Sequence, residues 1–206
     1  MTLLVVTAVT QERDAILAAC PGATVLVAGV GPATAAAATS AELAINSYDL
    51  VLCAGIGGGF GPLDLGDIAV ASSCVFADLG VRTDERFTPL PDVGFGVNRY
   101  DVAPRLAVEL ADLTGGHLGA ILTVATVTGT AAGADEMQDR IADAVAEGME
   151  GAAVAAAATH HNVAFAEIRA ISNVVGPRDR DAWDIDGALA ALGRAVAAVA
   201  ATRMAS

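Results

Sequence analysis

The chain of 206 residues carries 24 acidic against 11 basic side chains, a net charge of −13 at neutral pH, with 54% hydrophobic and 17% charged residues. That balance excludes a disordered chain, and it opposes contact with nucleic-acid phosphates, for which no basic stripe is present. The length fits one domain over 1–206 with a sizeable core.

In chain order, Thr2 to Ala8 is an apolar, β-branched run too short for a helix, and Thr10-Gln11-Glu12-Arg13 then reads as a helix start with Thr10 as N-cap. Thr24 to Val30 predicts a second strand, and Pro32 opens an Ala-rich helix to about Asn46. Asp49 to Ala54 predicts a third strand that runs into Gly55-Ile56-Gly57-Gly58-Gly59, a loop whose glycines let backbone approach a ligand. Further strands are predicted at Asp67 to Val75, Gly119 to Val127 and Val163 to Ile171, with helices over Val102 to Leu113, Ala134 to Ala144, Glu150 to His160 and Asp184 to Thr202. Continuous apolar strands alternating with helices predict an α/β fold, a three-layer α/β/α arrangement around a mixed sheet, with ligands bound beyond the carboxyl ends of strands.

Cys20, Cys53 and Cys74 are widely spaced and have no metal-ligand or disulfide pattern, so buried reduced thiols are expected. The N-terminus lacks a basic leader and Arg194 interrupts the most apolar C-terminal run, which predicts no membrane span and a cytoplasmic protein. Gly29-Val30-Gly31 is an incomplete dinucleotide fingerprint, because Thr34 stands where its third glycine belongs. No phosphate-binding loop, serine elbow or zinc-protease motif is present. His160 and His161 read as helix-end residues, and Trp183 as either a ligand wall or an aromatic beneath a helix start.

Three polar residues stand at predicted strand or helix ends. Glu12 reads as a capping residue, Glu150 as a first-turn charge that complements the helix dipole and Asn173 as a turn residue. Taken together they supply what cleavage of a glycosidic C–N bond needs: a base for water, an acceptor for ribose hydroxyls and an amide for a purine edge.

The order of motifs carries more. They are Thr7-Ala8-Val9-Thr10-Gln11-Glu12, Val27-Ala28-Gly29-Val30-Gly31-Pro32, Cys53-Ala54-Gly55-Ile56-Gly57-Gly58, Leu65-Gly66-Asp67-Ile68 with Asp78 downstream, Gly148-Met149-Glu150-Gly151 and Arg169-Ala170-Ile171-Ser172-Asn173. Six in this order resemble the purine nucleoside phosphorylase and nucleosidase superfamily over nearly the whole chain. Ile171 to Arg180 is most similar to its futalosine hydrolases, since the adenine-releasing nucleosidases carry Asp where this chain has Asn173. The resemblance implies release of hypoxanthine from futalosine in menaquinone biosynthesis, with a methylthioadenosine/S-adenosylhomocysteine-type nucleosidase, a phosphorylase or a non-catalytic nucleoside binder as alternatives.

By the same resemblance, Glu12 and Asn173 are catalytic, and Gly57, Gly58, Met149 and Glu150 bind the substrate. Water and a small nucleoside are the partners, with no cofactor, no metal, no nucleic acid and no membrane. A homodimer or larger homo-oligomer is implied, with Phe60, Val75 and Phe76 as interface or core residues. Hydrolysis is preferred to phosphorolysis because Glu12 is present and the phosphate-gripping arginine set is absent; Arg82 and Arg86 are the only basic residues in the middle third before Arg99. The ring that nucleosidases stack on the base is missing from Gly129-Thr130-Ala131-Ala132-Gly133, which leaves Phe95, Tyr100 or Trp183 for that place. Arg178 and Arg180 stand as alternatives for pairing with the benzoate carboxylate of futalosine.

Overall fold

The computed structural model describes residues 2–204. In order, the elements are β1 (Leu3–Thr7), α1 (Thr10–Ala19), β2 (Thr24–Val27), α2 (Pro32–Ile45), β3 (Leu50–Gly59), β4 (Ile68–Phe76), β5 (Gly80–Arg82), β6 (Phe87–Pro89), β7 (Arg99–Asp101) and α3 (Pro104–Thr114). They are followed by β8 (His117–Thr123), α4 (Ala131–Arg140), β9 (Ala144–Gly148), α5 (Gly151–His160), β10 (Ala164–Val174) and α6 (Ile185–Met204).

The apolar runs are strands covered on both faces. In β1, Val5 joins the core shared with α1 and α6, while Leu4 and Val6 join the core under α2 and α5. In β3, Leu50, Leu52 and Ala54 face the first of these cores and Val51 and Cys53 the second. The strand period of two thus sends alternate side chains into two different helix layers, which is why no polar alternation marks these segments.

The sheet is mixed. β1 pairs in parallel with β2 and β3, β3 with β10, and β8 with both β4 and β9, while β3–β9, β4–β7 and β4–β10 are antiparallel. Because β10 bonds to both β3 and β4, strands β3, β9, β8, β4 and β10 form a closed ring from which β1 and β2 extend. The α/β class and the mixed central sheet covered by helices are as expected, and the closure of five of its strands is a feature that only the long-range pairing reveals.

Several boundaries differ from the sequence reading for long-range reasons. Gly55 to Gly59 is strand rather than loop, because its backbone pairs with Arg169 to Val174 of β10. The segment Ala144 to Gly148, of which only Ala144 had been assigned and that to a helix, is β9, held between β8 and the end of β3. Its Ala and Glu content favours helix locally, and pairing overrides that preference. The predicted strand at Gly119 to Val127 ends at Thr123, and β5, β6 and β7 are three-residue strands with no sequence signal.

Helix α6 corrects another expectation. Over Ile185–Thr202 it is long and apolar enough to cross a membrane by length and composition, despite Arg194. Its buried residues Ala188, Ala191, Leu192, Ala195, Val196 and Val199 instead form one stripe against the sheet, with Arg194 exposed on the other side. Phe60 and Val75 are buried and Phe76 packs against two core clusters, so all three are core residues rather than an exposed face.

Ile168, in the centre of β10, is fully buried. Ile168→Ala is expected to lower the unfolding free energy by about 2–5 kcal/mol, through lost transfer energy and the cavity left behind. Ile45→Ala, at a residue 79% exposed, is expected to change it by less than about 0.5 kcal/mol. Urea-unfolding midpoints with equal slopes measure both.

Candidate active site

Residues at or just beyond the carboxyl ends of β1, β3, β8, β9 and β10 enclose a cavity of about 650 Å³. Glu12, Gly57, Gly58, Met149, Glu150 and Asn173 all line it. Residues that are far apart in sequence meet there because the last residues of β3 pair with the last residues of β9, while the end of β10 runs alongside that of β3.

Glu12 is 3% exposed on the first turn of α1. Its Oε2 accepts from Ala8 N at 2.9 Å and Val9 N at 3.2 Å, and its Oε1 accepts from Ile56 N at 2.9 Å. The N-cap is Val9, not Thr10, and valine has no oxygen to offer, so Glu12 supplies only its own half of a capping box. The capping role and the cavity position therefore coexist: three backbone donors fix the carboxylate where it meets the cavity.

Glu150 is the N-cap residue of α5, but its side chain turns away from the helix. Its Oε1 accepts from Gly31 N at 3.0 Å, and its Oε2 accepts from Met149 N at 3.3 Å and from Arg169 Nη2 at 3.1 Å. Gly31 has φ of +93°, a conformation that aims its N–H at Glu150 and that a side chain would resist. The orphan amide of Ala152 at the start of α5 is taken by Thr123 Oγ1 at 2.8 Å, which leaves Glu150 free of the capping task.

Arg169, absent from the sequence-derived site, is the partner that organises these groups. Its side chain is 3% exposed, and it donates from Nε to Glu167 Oε1 at 2.9 Å and from Nη1 to Ile56 O at 3.3 Å. Burial lowers its pKa, but the surrounding Cys53, Glu167, Glu150 and Glu12 more than offset this and raise it well above the ordinary arginine value. Burial raises the Glu167 pKa, and Arg169 works against that rise. Gly151 makes room for the pair, since a Cβ at that position would overlap the Glu167 carboxylate. The sequence signal was two opposite charges, Glu167 and Arg169, set two apart on one face of a strand otherwise apolar on both faces.

Asn173 follows a bulge in β10: the register with β3 shifts between Ile171 and Asn173, which brings Asn173 opposite Gly58. It is therefore in a strand, not a turn. Its Oδ1 accepts from Ser172 Oγ at 2.9 Å and its Nδ2 donates to Val174 O at 3.0 Å. A Cβ on Gly58 would lie 2.7 Å from Val175 and 3.2 Å from the Asn173 amide, and one on Gly57 would lie 2.7 Å from Glu147 O. The bare positions thus admit neighbouring protein groups into the cavity wall as well as lining it.

Glu147, also missed, is a third carboxylate on the cavity and is 6% exposed. It accepts from both the amide and the hydroxyl of Thr128, and so holds the segment after β8, which Asp78 also pins by accepting from Ala125 N at 2.7 Å. It was hidden because β9 was not recognised. Of the three aromatics considered for the base, Trp183 lines the cavity, whereas Phe95 is 69% exposed elsewhere and Tyr100 packs edge-on against Phe76 and Phe165. His161 bonds to Ser40 at 2.9 Å, and Arg82 pairs with Glu136, all outside the cavity lining.

Two measurements test this electrostatic arrangement. Arg169→Gln leaves Glu150 and Glu167 without their buried counter-charge and is expected to cost about 3–5 kcal/mol in denaturant unfolding. Burial also raises the Glu147 pKa above 4.5, so the folded state keeps a proton that the unfolded chain releases. The stability this confers is complete below pH 4.5 and is lost as pH rises through the folded value. The unfolding free energy of Glu147→Gln is expected to fall less steeply with pH above 4.5 than that of the native protein; parallel curves would assign the slope to other groups.

Residues 8–205 match the family model described as "Phosphorylase superfamily". The futalosine hydrolase of Streptomyces coelicolor is 46% identical, over 97% of this chain and 95% of that one, and the futalosine hydrolase of Acidothermus cellulolyticus is 44% identical, over 96% and 90%. The fold is that of the 5′-methylthioadenosine/S-adenosylhomocysteine nucleosidase of Neisseria meningitidis, solved with methylthio-immucillin-A: the TM-score is 0.84 at 20% identity, over 98% of this chain and 99% of that one. Matches that span the whole length, two of them at close to half identity, mean that the chain belongs to the phosphorylase superfamily and, within it, to the futalosine hydrolase family.

Proposed function

We propose that the protein hydrolyses the N-glycosidic bond of futalosine, releasing hypoxanthine and dehypoxanthine futalosine. The observation that carries this reading is the meeting of Glu12, Glu150 and Asn173 in one cavity, in a chain 46% identical to a futalosine hydrolase. Glu12 orients a water molecule and takes its proton as the oxygen attacks ribose C1′. The C1′–N9 bond breaks, its electron pair leaves with the purine, and the purine anion takes a proton from solvent while Glu12 returns its proton there. Glu150 accepts a hydrogen bond from the ribose diol on the Oε1 lone pair that Gly31 leaves open, Met149 and Arg169 occupying Oε2.

The ribose becomes cationic in the transition state, and a cavity lined by Glu12, Glu147 and Glu150 favours that charge. Arg169 would weaken this effect, but Glu167 on its other side offsets it and keeps the three-member group net negative. Asn173 cannot deliver a proton to the base. Its amide hydrogen bonds to the imidazole edge of a 6-oxopurine, which leaves more readily than adenine. Arg169 is held by Glu167, Glu150 and the Ile56 carbonyl rather than left free for a phosphate, so it does not supply the phosphate-gripping arginine set of a phosphorylase.

A homodimer or larger homo-oligomer belongs to this reading, supported by the family. A cytoplasmic location does too, supported by the free thiols Cys20, Cys53 and Cys74. The test is incubation with futalosine in phosphate-free buffer, where hypoxanthine release is expected. Release that requires phosphate would make the protein a phosphorylase, and stabilisation by hypoxanthine without turnover would make it a binder. Glu12→Gln is expected to lower kcat by about 10²- to 10⁴-fold and Glu150→Gln by about 10²-fold or more. Asn173→Asp is expected to raise activity on adenine nucleosides relative to inosine.

A further inference from the structure

Two arginines line the cavity, and they are in opposite states. Arg169 is buried and fully paired, whereas Arg178 is exposed at the mouth and makes no ion pair among the described residues. Its neighbouring aspartates are directed to backbone: Asp179 Oδ1 accepts from Asp181 N at 3.2 Å, and Asp184 Oδ1 accepts from Gly187 N at 2.8 Å. In a chain of net charge −13, with three carboxylates on the same cavity, an unneutralised guanidinium is the one cationic feature available to a ligand there.

Arg178 is also held in place. Its stem runs beside Gly129, where a Cβ would stand 3.7 Å from Arg178 Cδ, at van der Waals contact. Its guanidinium lies 5.2 Å from the centroid of Trp183, which itself lines the cavity, and Arg180 approaches the same ring at 5.7 Å. A guanidinium stacked on an aromatic face keeps its N–H edge free, and that planar fork matches a carboxylate with two parallel hydrogen bonds. The indole beside it offers a surface to an aromatic ring.

We propose that Arg178, carried on Trp183, is the subsite for a carboxylate borne on an aromatic extension of the nucleoside, with Arg180 adding to the local positive field. The assignment rests on the nucleoside-hydrolase reading above. It also separates the two arginines that the sequence left equivalent, because only Arg178 lines the cavity while Arg180 borders the neighbouring surface near Asp184.

The test compares futalosine, which carries the aromatic carboxylate, with inosine, which lacks it, in phosphate-free buffer. Arg178→Gln is expected to lower the futalosine-to-inosine ratio of kcat/KM by about 10- to 100-fold, the worth of hydrogen bonds to a charged group. The change should lie mainly in KM. Arg178→Lys, which keeps the charge but not the fork, should recover part of it. An unchanged ratio overturns the proposal, as does phosphate-stimulated base release by the native protein that Arg178→Gln abolishes, which would make Arg178 a phosphate grip.

Calorimetric titration on Glu12→Gln protein keeps the two readings apart if nothing is cleaved. Tighter binding of futalosine than of inosine, with the difference erased by adding Arg178→Gln, supports the subsite even where hydrolysis fails. Equal binding of the two nucleosides, or no binding of either, overturns it.

Discussion

Arg169 carries a charge between Glu150 and Glu167 with almost none of its side chain in solvent, and both ends of the cavity wall are tied to that group. Removing these ions from water costs several kcal/mol each, and only close, well-directed partners offset it. The partners come from three places in the chain: Cys53 and Ile56 in β3, Glu150 before α5 and Glu167 in β10. Ile56 of β3 is the joint: its N–H donates to Glu12 and its C=O accepts from Arg169, so one residue of backbone links the two carboxylates proposed to act on water and ribose. Gly31, at the start of α2, joins through Glu150. A displacement of any one of these elements would leave a buried charge or amide unpaired, so the network rigidifies the site as well as charging it.

The closed part of the sheet makes this possible. Because β10 bonds to both β3 and β4, its middle, Ile168 to Ala170, is gripped from two sides, and the bulge beyond it brings Asn173 opposite Gly58 at the cavity. Bare strand positions serve the same end. Gly55, Gly57 and Gly58 stand where a Cβ would meet Glu12, Arg169, Glu147 or Val175 within 3 Å. Glycine weakens a strand, and here the loss is offset by admitting functional side chains and paired backbone into the space it leaves.

Much of the site was legible because chemistry-bearing residues stood at element boundaries. Glu12 after β1, Glu150 before α5 and Asn173 near the end of β10 were visible as polar residues at the ends of predicted elements, and the six ordered motifs that contain them pointed to the family. Arg169 and Glu147 were harder. Arg169 looked like an ordinary charge in a strand until β3 and α5 closed over it. Glu147 lay in the short unassigned gap between the helices expected to end at Ala144 and begin at Glu150, and only the ladders to β8 and β3 make it a strand. Trp183 was open between two roles, and the loop after β10 places it on the cavity.

What the sequence determined by itself was whatever depends on neighbours along the chain: the apolar runs that must be buried on both faces, the helix starts at Pro32 and Glu150, and the ordered motifs that mark the superfamily. Tertiary structure alone decided which charges meet. The pairing of Arg169 with Glu150 and Glu167, the conversion of Gly55–Gly59 from loop to strand, and the separation of Arg178 from Arg180 all arise between segments far apart in sequence. Local propensities amount to fractions of a kcal/mol per residue, and burying a charge or completing a ladder outweighs them.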